Sequence, residues 1–518
     1  MFFIKIGYKN FRLKCDIFLF HDSIKRIKGY FITFYFFCQR RDFQMFSTYQ
    51  ELESYVRQNN IVMLDFKVTE LGGKWRHLTI PASRLSEKIF EKGFGFDGSN
   101  YGYAKIEQSD MVFIPDLTTA FPDPFWDRKT LSFLGTVHAI TDKGFVPYGG
   151  DSRRVLASAL EYMKKSGLAD AFMVGPEYEF HIFDHVAYAE EMQSSFFEVD
   201  SYQAHWRTGD AEDNLGFKVP LKKGYHLDAP ADVNRDLRSF MAEIMGDLGI
   251  PVKYHHHEVG GPGQHEIELE IDEAFKLADA TMLSKYVIKN AAVRHGKTAT
   301  FMPKPLHGEA GNGMHVHMQL WKDGQSAFAG PDSNYAGLSD LALHFMGGIL
   351  VHTPALTALA SPSTNSYKRL VRGYEAPIGI GFATANRSAV LRVPGYAKSP
   401  SSRRFEFRSS DAAANPYLLF AALLMAGMDG VTRKIDPLKE GYGPLEKNFY
   451  ELAESDIKLL PASLEEALEE LDKDHAFLTE SGVFPESLLE NWKILKTREC
   501  ARMRELPTPG EYALYYDC

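Results

Sequence analysis

Cysteine is scarce. The 518 residues hold four, Cys15, Cys38, Cys500 and Cys518. None stands at a C-x-x-C spacing, so neither a zinc ribbon nor a disulfide framework is available, and scattered thiols fit a reducing, cytoplasmic setting. No apolar run approaches the ~20 residues that a membrane span needs. The longest, residues 30–38, falls far short, and no small-residue cleavage site follows it, which argues against a secretory leader. A dense Lys/Arg block is missing too. With 58 basic against 68 acidic residues and a net charge of −10, the chain is not expected to bind nucleic acid or a membrane surface. No internal repeat or low-complexity linker appears after residue 45. At 45% hydrophobic and 24% charged, the composition is that of a globular protein with a large core.

What the chain has instead is carboxylate and imidazole gathered in short stretches. The densest runs His255-His256-His257-Glu258-Val259-Gly260-Gly261-Pro262-Gly263-Gln264-His265-Glu266, with a Gly-Pro-Gly turn signal inside it. After it, Glu266-Ile267-Glu268-Leu269-Glu270-Ile271 alternates polar and apolar, which predicts a half-buried strand with three carboxylates on one face. Like charges in a row repel one another unless a cation, an arginine or water lies among them. Three further stretches have the same character. Residues 174–183 carry Glu177 and Glu179 two apart, and residues 311–318 carry His315 and His317 on one side. Residues 403–408 put Arg404, Glu406 and Arg408 on one face and two phenylalanines on the other. Oxygen-rich ligation with a single imidazole suits magnesium or manganese better than zinc. Arginines beside such a site suit phosphate oxygens. One carboxylate pair on an amphipathic strand is usually a solvated edge, and one His-x-His strand usually a satisfied pair. Four such faces in one chain, each beside glycine turns, ask for a cation.

Around these stretches, residues 62–68, 75–80, 111–114 and 131–137 read as short strands, interrupted by the glycine-rich Gly93-Phe94-Gly95-Phe96-Asp97-Gly98-Ser99-Asn100. Ser47-Thr48-Tyr49-Gln50-Glu51 is a capped helix start, and residues 152–165, 234–248 and 278–294 have helical periodicity. Strands and helices interleaved in non-repeating order predict an α+β fold, with a curved antiparallel sheet as the floor of the site and helices flanking it.

The runs GPEYEF, HHHEVGGPGQHE, FMPKPLHGEAGNGMHVHM, NSYKRLVRGYEAP, NRSAVLRVP and RRFEFRSSDAAANPYLLFAALLMAGMDG, in that order, resemble bacterial type I glutamine synthetase. The resemblance extends from about Met45 to the C-terminus. It implies a small β-grasp-like domain over 45–146 and a large catalytic domain over 147–518, with 1–44 an extension or a mis-assigned start, weakly structured. The implied reaction joins ammonia to the γ-carboxylate of glutamate through γ-glutamyl phosphate, with ATP as co-substrate, and gives glutamine, ADP and phosphate. Two divalent cations, magnesium or manganese, are implied: Glu179, Glu258 and Glu266 hold one, and Glu177, His315 and Glu406 the other.

By the same resemblance, Arg404 and Arg387 sit nearest the transferred phosphoryl group, with His317 and Arg392 on the nucleotide side. Arg369, Arg408 and Gly311 belong to the glutamate pocket. Asp97, reaching the neighbouring subunit's site, forms an ammonium pocket with Tyr225, Glu258 and Glu375, and Asp97 takes the proton. Residues 369–377 are the lid, with Glu375 closing over that pocket. Tyr450 resembles a tyrosine that an adenylyltransferase modifies in one subgroup. The apolar tail 507–516 is expected to dock into a partner subunit of a dodecamer built from two hexameric rings, with active sites between subunits. The chain departs from the family at Asn100, where a second serine is usual, at Ala310, commonly Asn, and at Ser401, commonly lysine. Two other readings compete. A ligase joining glutamate to a larger amine has less use for carboxylates ringing a small cation. A non-catalytic relative has no need to keep all six metal-ligand positions.

Overall fold

The computed structural model describes residues 46–211, 214–374, 376–445, 447–448, 451–452 and 457–518. Residues 1–44, Glu375 and Tyr450, all singled out above, lie outside the described residues. The capped helix start is real. Thr48 accepts from the Glu51 N–H, Glu51 returns to the Thr48 N–H, and the helix Tyr49–Gln58 follows.

The strand Met63–Thr69 pairs antiparallel with Trp75–Pro81 and parallel with Thr130–Phe133. The single strand expected over 131–137 is in fact two, Thr130–Phe133 and Gly135–Thr141, which belong to different four-stranded sheets. Leu134 is the crossing point. Its N–H donates to Thr119 Oγ1 at 2.9 Å and its carbonyl accepts from the Asp116 N–H at 2.8 Å, so neither group joins a ladder. A Cβ at Gly135 would lie 2.3 Å from the Ile114 carbonyl oxygen, which is why a glycine follows the crossing. The second small sheet runs Phe94–Asp97, Asp110–Pro115, Gly135–Thr141, Gly144–Pro147 and carries Asp97 at a strand end.

The large sheet has eleven strands. Its main path is Val252–His257, Gln264–Leu269, Ala171–Phe183, Met314–Lys322, Phe405–Phe407, Ala389–Val393, Gly379–Thr384 and Lys458–Leu459. The four stretches rich in Glu, His and Arg are therefore immediate neighbours, and all of their pairings are antiparallel. One pair elsewhere in the sheet, Gly379–Thr384 with Ala389–Val393, is parallel. The strand after the Gly-Pro-Gly turn differs from expectation. It ends at Leu269, and all six of its residues are buried because strands flank it on both sides and both faces are covered. Glu270 is exposed beyond it, where its N–H donates to the Pro251 carbonyl at 2.7 Å. The polar face thus carries two carboxylates, Glu266 and Glu268, rather than three.

Ser152–Ser166, capped by Asp151, Arg235–Asp247 and Ala274–Arg294 are helices, the last beginning four residues before the periodic stretch. Asp340–Ala360 and Pro416–Arg433 are two more, which helical periodicity does not pick out because most residues of each are buried. They cross closely: a Cβ at Gly430 would lie 2.3 Å from the His344 carbonyl oxygen, and one at Gly348 2.1 Å from that of Ala426. Asp340–Ala360 is long and apolar enough to cross a membrane, yet 72% of its apolar window is buried inside the fold.

Candidate active site

Residues directly opposite one another in a ladder share a face, so register decides which side chains meet. Glu266 stands opposite Glu179 and Glu268 opposite Glu177. Across the other edge of Ala171–Phe183, His315 stands opposite Glu177. One strand further, His317 faces Glu406, which in turn faces Arg392. On the far side His256 stands opposite Glu266. A cavity of about 700 Å³ lies over this wall. Of the residues picked from the sequence, Glu177, Glu179, Tyr225, Glu258, Glu266, Gly311, His315, Arg369, Arg387, Arg392 and Arg408 line it. His317, Arg404 and Glu406 are buried behind the lining. Ser401 is exposed in the short turn before them, and Ala310 lines the cavity itself.

The wall has two electrostatic halves. In one, the protein supplies the cations. Glu406 takes Arg408 Nη1 at 2.7 Å on one oxygen and Arg392 Nη1 at 2.8 Å on the other. Burial opposes its ionisation, but the charges of His317 and Arg408 win and hold it at about 2. Glu177 lies 2.8 Å from His317 Nε2 and 3.3 Å from His315 Nδ1. There, too, burial is outweighed, first by the His317 charge and then by the imidazole hydrogen bonds, and the carboxyl falls well below its ordinary range. In the other half the counter-charge is weaker: His256 Nε2 lies 3.6 Å from Glu266 Oε1, and the charge of Arg387 opposes the rise at Glu266 without reversing it. Burial, then the charges of Glu179 and Glu266, push Glu258 well up, and burial with Glu177, Glu179 and Glu268 does the same to Glu266. A carboxylate pair in that state holds a proton or an outside cation.

Among the described residues three three-donor groups have their ligand atoms within 4.8 Å of one another: Glu177, Glu266 and Glu268, all carboxylates, and two mixed groups, Glu177, His317 and Glu406, and His256, Glu258 and Glu266. Each mixed group offers carboxylate oxygens and one imidazole, a donor set that fits a hard divalent cation. These differ in membership from the sets implied by the resemblance. His317 rather than His315 meets Glu406, because it is the residue in register with it. Glu179 instead accepts the Gly313 N–H at 2.5 Å, with His315 Nε2 at 3.9 Å. His256 belongs to the His-rich run 255–266, and the pairing that sets it opposite Glu266 brings it into the group.

Other picked residues have specific surroundings. Arg369 donates to the carbonyls of Arg408, Ser409 and Ser410 at 3.2 to 3.3 Å. A Cβ at Gly311 would lie 2.9 Å from Arg369 Cγ, so that glycine lets the arginine pack beside the cavity. Arg404 lies over the Tyr396 ring, 5.5 Å from its centroid, with Nε 3.4 Å from His317 Nδ1. Tyr396 and Tyr374 also line the cavity, and both come from loops, where no periodic pattern marks them. Asp97 is apart. It is exposed on the small sheet and does not line its own chain's cavity. It accepts Ser99 Oγ at 2.7 Å, the Ser99 N–H at 2.9 Å and Asn100 Nδ2 at 2.7 Å, bonds that hold its carboxyl below the ordinary value. Asn100, the departure from the usual serine, is thus one of the donors that orient it.

Comparison with known proteins gives two family matches: "Glutamine synthetase, catalytic domain" over residues 149–515 and "Glutamine synthetase, beta-Grasp domain" over residues 60–140. The chain is 44% identical over 480 residues to a glutamine synthetase of Mycolicibacterium smegmatis, covering 91% of this chain and 99% of that one. It is 45% identical over 468 residues to a 3-hydroxylaminophenol mutase of Cupriavidus pinatubonensis, covering 89% and 97%. Among solved structures, the Plasmodium falciparum glutamine synthetase matches with a TM-score of 0.82 at 29% identity, over 92% of this chain and 100% of that one.

Proposed function

The chain belongs to the glutamine synthetase family, in its bacterial type I branch, and we infer from this that it is a glutamate–ammonia ligase using ATP and divalent cations. The observation that carries the reading at the site is the single wall on which carboxylates, imidazoles and arginines of four adjacent strands meet. In the first step the γ-carboxylate of glutamate attacks the γ-phosphorus of ATP. The bond to ADP breaks and an acyl phosphate forms. In the second, ammonia attacks the acyl carbon and phosphate leaves, giving glutamine.

The half of the wall with the weaker internal counter-charge, Glu179, Glu258 and Glu266 with His256 beside them, is where an external ion fits best, and Glu177, His315, His317 and Glu406 are the donors for a second. Two magnesium or manganese ions there supply charge neutralisation for the phosphate oxygens. Arg387, Arg392 and Arg404 provide fixed positive charge for the transferred group, and Arg369, Arg408 and the Gly311 backbone bind glutamate. Ammonium must lose a proton before it attacks. Tyr225, Glu258, Glu375 and a neighbouring subunit's Asp97 form its pocket, with Asp97 as acceptor. The acyl phosphate hydrolyses readily, so residues 369–377 serve as a lid that keeps water out.

Three features support an assembly, read as a cytoplasmic dodecamer of two hexameric rings. Asp97 stands exposed, away from its own chain's cavity. The hairpin of His185–Glu191 and Ser194–Asp200 exposes Tyr188, Met192 and Phe197, and the C-terminal helix exposes Tyr512, Leu514 and Tyr516. The gap between the two matched stretches supports a domain division at 146/147. Tyr450 is the proposed target of an adenylyltransferase, which a mass increase of one AMP on that residue would reveal.

The test measures glutamine and phosphate together from glutamate and ATP, with ammonium or with a panel of larger amines. Ammonium is expected to give glutamine and phosphate in equal amounts. Product with an amine and none with ammonium would move the assignment to an amine ligase.

A further inference from the structure

Tyr374 lines the cavity from a loop whose residues 371–373 are exposed, so something outside the loop must hold the ring in place. Two lysines converge on it. Lys304 Nζ lies 3.7 Å from the ring centroid and Lys222 Nζ lies 4.1 Å from it. Lys222 Nζ also donates to the Gly373 carbonyl at 3.4 Å.

Both lysines are tied to one buried residue, Glu309. The Glu309 carboxylate accepts the Lys222 N–H at 3.2 Å on each oxygen, and its carbonyl accepts the Lys304 ammonium. The Lys304 N–H is fixed in turn by Asn365 Oδ1 at 2.6 Å. Lys222 is left-handed, φ +57°, a conformation that strains a non-glycine residue. Burial, and then the charge of Lys222, bring Lys304 down to about 8. Strained backbone and two like charges on one ring are a costly way to pack a tyrosine. An apolar side chain would pack it without either cost, so the arrangement points to a requirement for the ring's position.

We infer that Lys222 and Lys304 are positioning residues that clamp the Tyr374 ring as a wall of the cavity, so that the acyl phosphate meets ammonia and not water. The inference rests on the ligase reading above and extends it to residues with no part in metal, nucleotide or glutamate binding there. Phosphate and glutamine measured in the same reaction, as ammonium is lowered, test it. The unsubstituted enzyme should keep the two near equal. Lys304→Met, Lys222→Met and Tyr374→Leu should raise the ratio of phosphate to glutamine by about threefold or more, the scale of one lost cation–π contact. Tyr374→Phe keeps the ring and should keep the ratio, and Lys304→Arg should restore most of it. A general loss of packing would lower both products together and leave the ratio alone. If the lysine variants do not assemble, Tyr374→Leu, at a half-buried loop position, decides by itself. An unchanged ratio in Tyr374→Leu, with glutamine still formed, overturns the clamp. An unsubstituted enzyme that makes no glutamine overturns the ligase reading instead.

Discussion

Glu266 is in an unfavourable position for a carboxylate. It is buried, faces Glu179 across the ladder and lies near Glu177 and Glu268, and its pKa is driven up accordingly. Glu406, three strands along the same sheet and just as buried, is held at about 2 by the charge of His317 and by the two guanidinium groups on its oxygens. The difference between the two is the closeness of the counter-charge: two guanidinium groups bond Glu406 at 2.7 and 2.8 Å, while His256 Nε2 stands 3.6 Å from Glu266. Glu266→Gln should therefore do two opposite things. Removing a charge that His256 and Arg387 offset only in part should raise the Tm of the metal-free enzyme, since a functional strain is relieved. It should also cut turnover by about 100-fold or more, the scale expected when a metal site is damaged, while the oligomer stays assembled. Scanning fluorimetry with and without chelator, beside an activity assay, reads both. A variant that is less stable without metal, or undiminished in turnover, contradicts this account of the site. Arg404→Ala should likewise abolish turnover with assembly intact, because it removes the guanidinium beside His317 and Tyr396.

At the level of elements, the helix Asp340–Ala360 is tied to its neighbours through His352. The imidazole bonds Asp474 Oδ2 through Nδ1 at 2.7 Å and Asp429 Oδ2 through Nε2 at 2.8 Å. Donating from both nitrogens requires the protonated ring. Burial would lower its pKa, but the bonds and charges of the two aspartates outweigh it and raise the value above the ordinary one. A raised folded-state value gives stability that is fully present below the unfolded value of about 6.5 and is lost as pH rises through the folded one. Tm should therefore fall with rising pH across that interval, and His352→Gln should flatten the fall; a profile as steep in the variant would show that the imidazole is not its source. The same element shows where sequence ran short. Periodicity reveals a helix with one wet face, such as Ser152–Ser166, and is silent for one buried on all sides through most of its length, such as Pro416–Arg433. Alternation likewise found all four polar strands, because Glu177 and Glu179, or His315 and His317, have to share a face. It could not find their order in the sheet, nor that His317 rather than His315 is in register with Glu406, since register is set by long-range pairing. The strand break at Leu134 was hidden for a related reason: Thr119 and Asp116, which hold it, lie outside the local window.

At the level of the whole molecule, the carboxylate and imidazole wall and Asp97 belong to different parts of one chain, and Asp97 does not line the cavity over that wall. If each active site borrows Asp97 from a neighbour, two variants dead for different reasons should rescue one another. Asp97→Asn and Glu266→Gln subunits, each inactive alone, should recover activity when co-expressed, because mixed oligomers contain some interfaces with both groups intact. No recovery from verified mixed oligomers would place the site within a single subunit. The central claim, though, is electrostatic: this many buried carboxylates on one wall need divalent cations, and those cations serve phosphoryl transfer from ATP to glutamate. The most direct test follows phosphate and glutamine from glutamate, ATP and ammonium while magnesium or manganese is titrated into chelator-stripped enzyme. The account predicts no turnover without metal and equal yields of both products once it is restored. Glutamine formed at full rate in the stripped enzyme, or none formed with metal present, would contradict it.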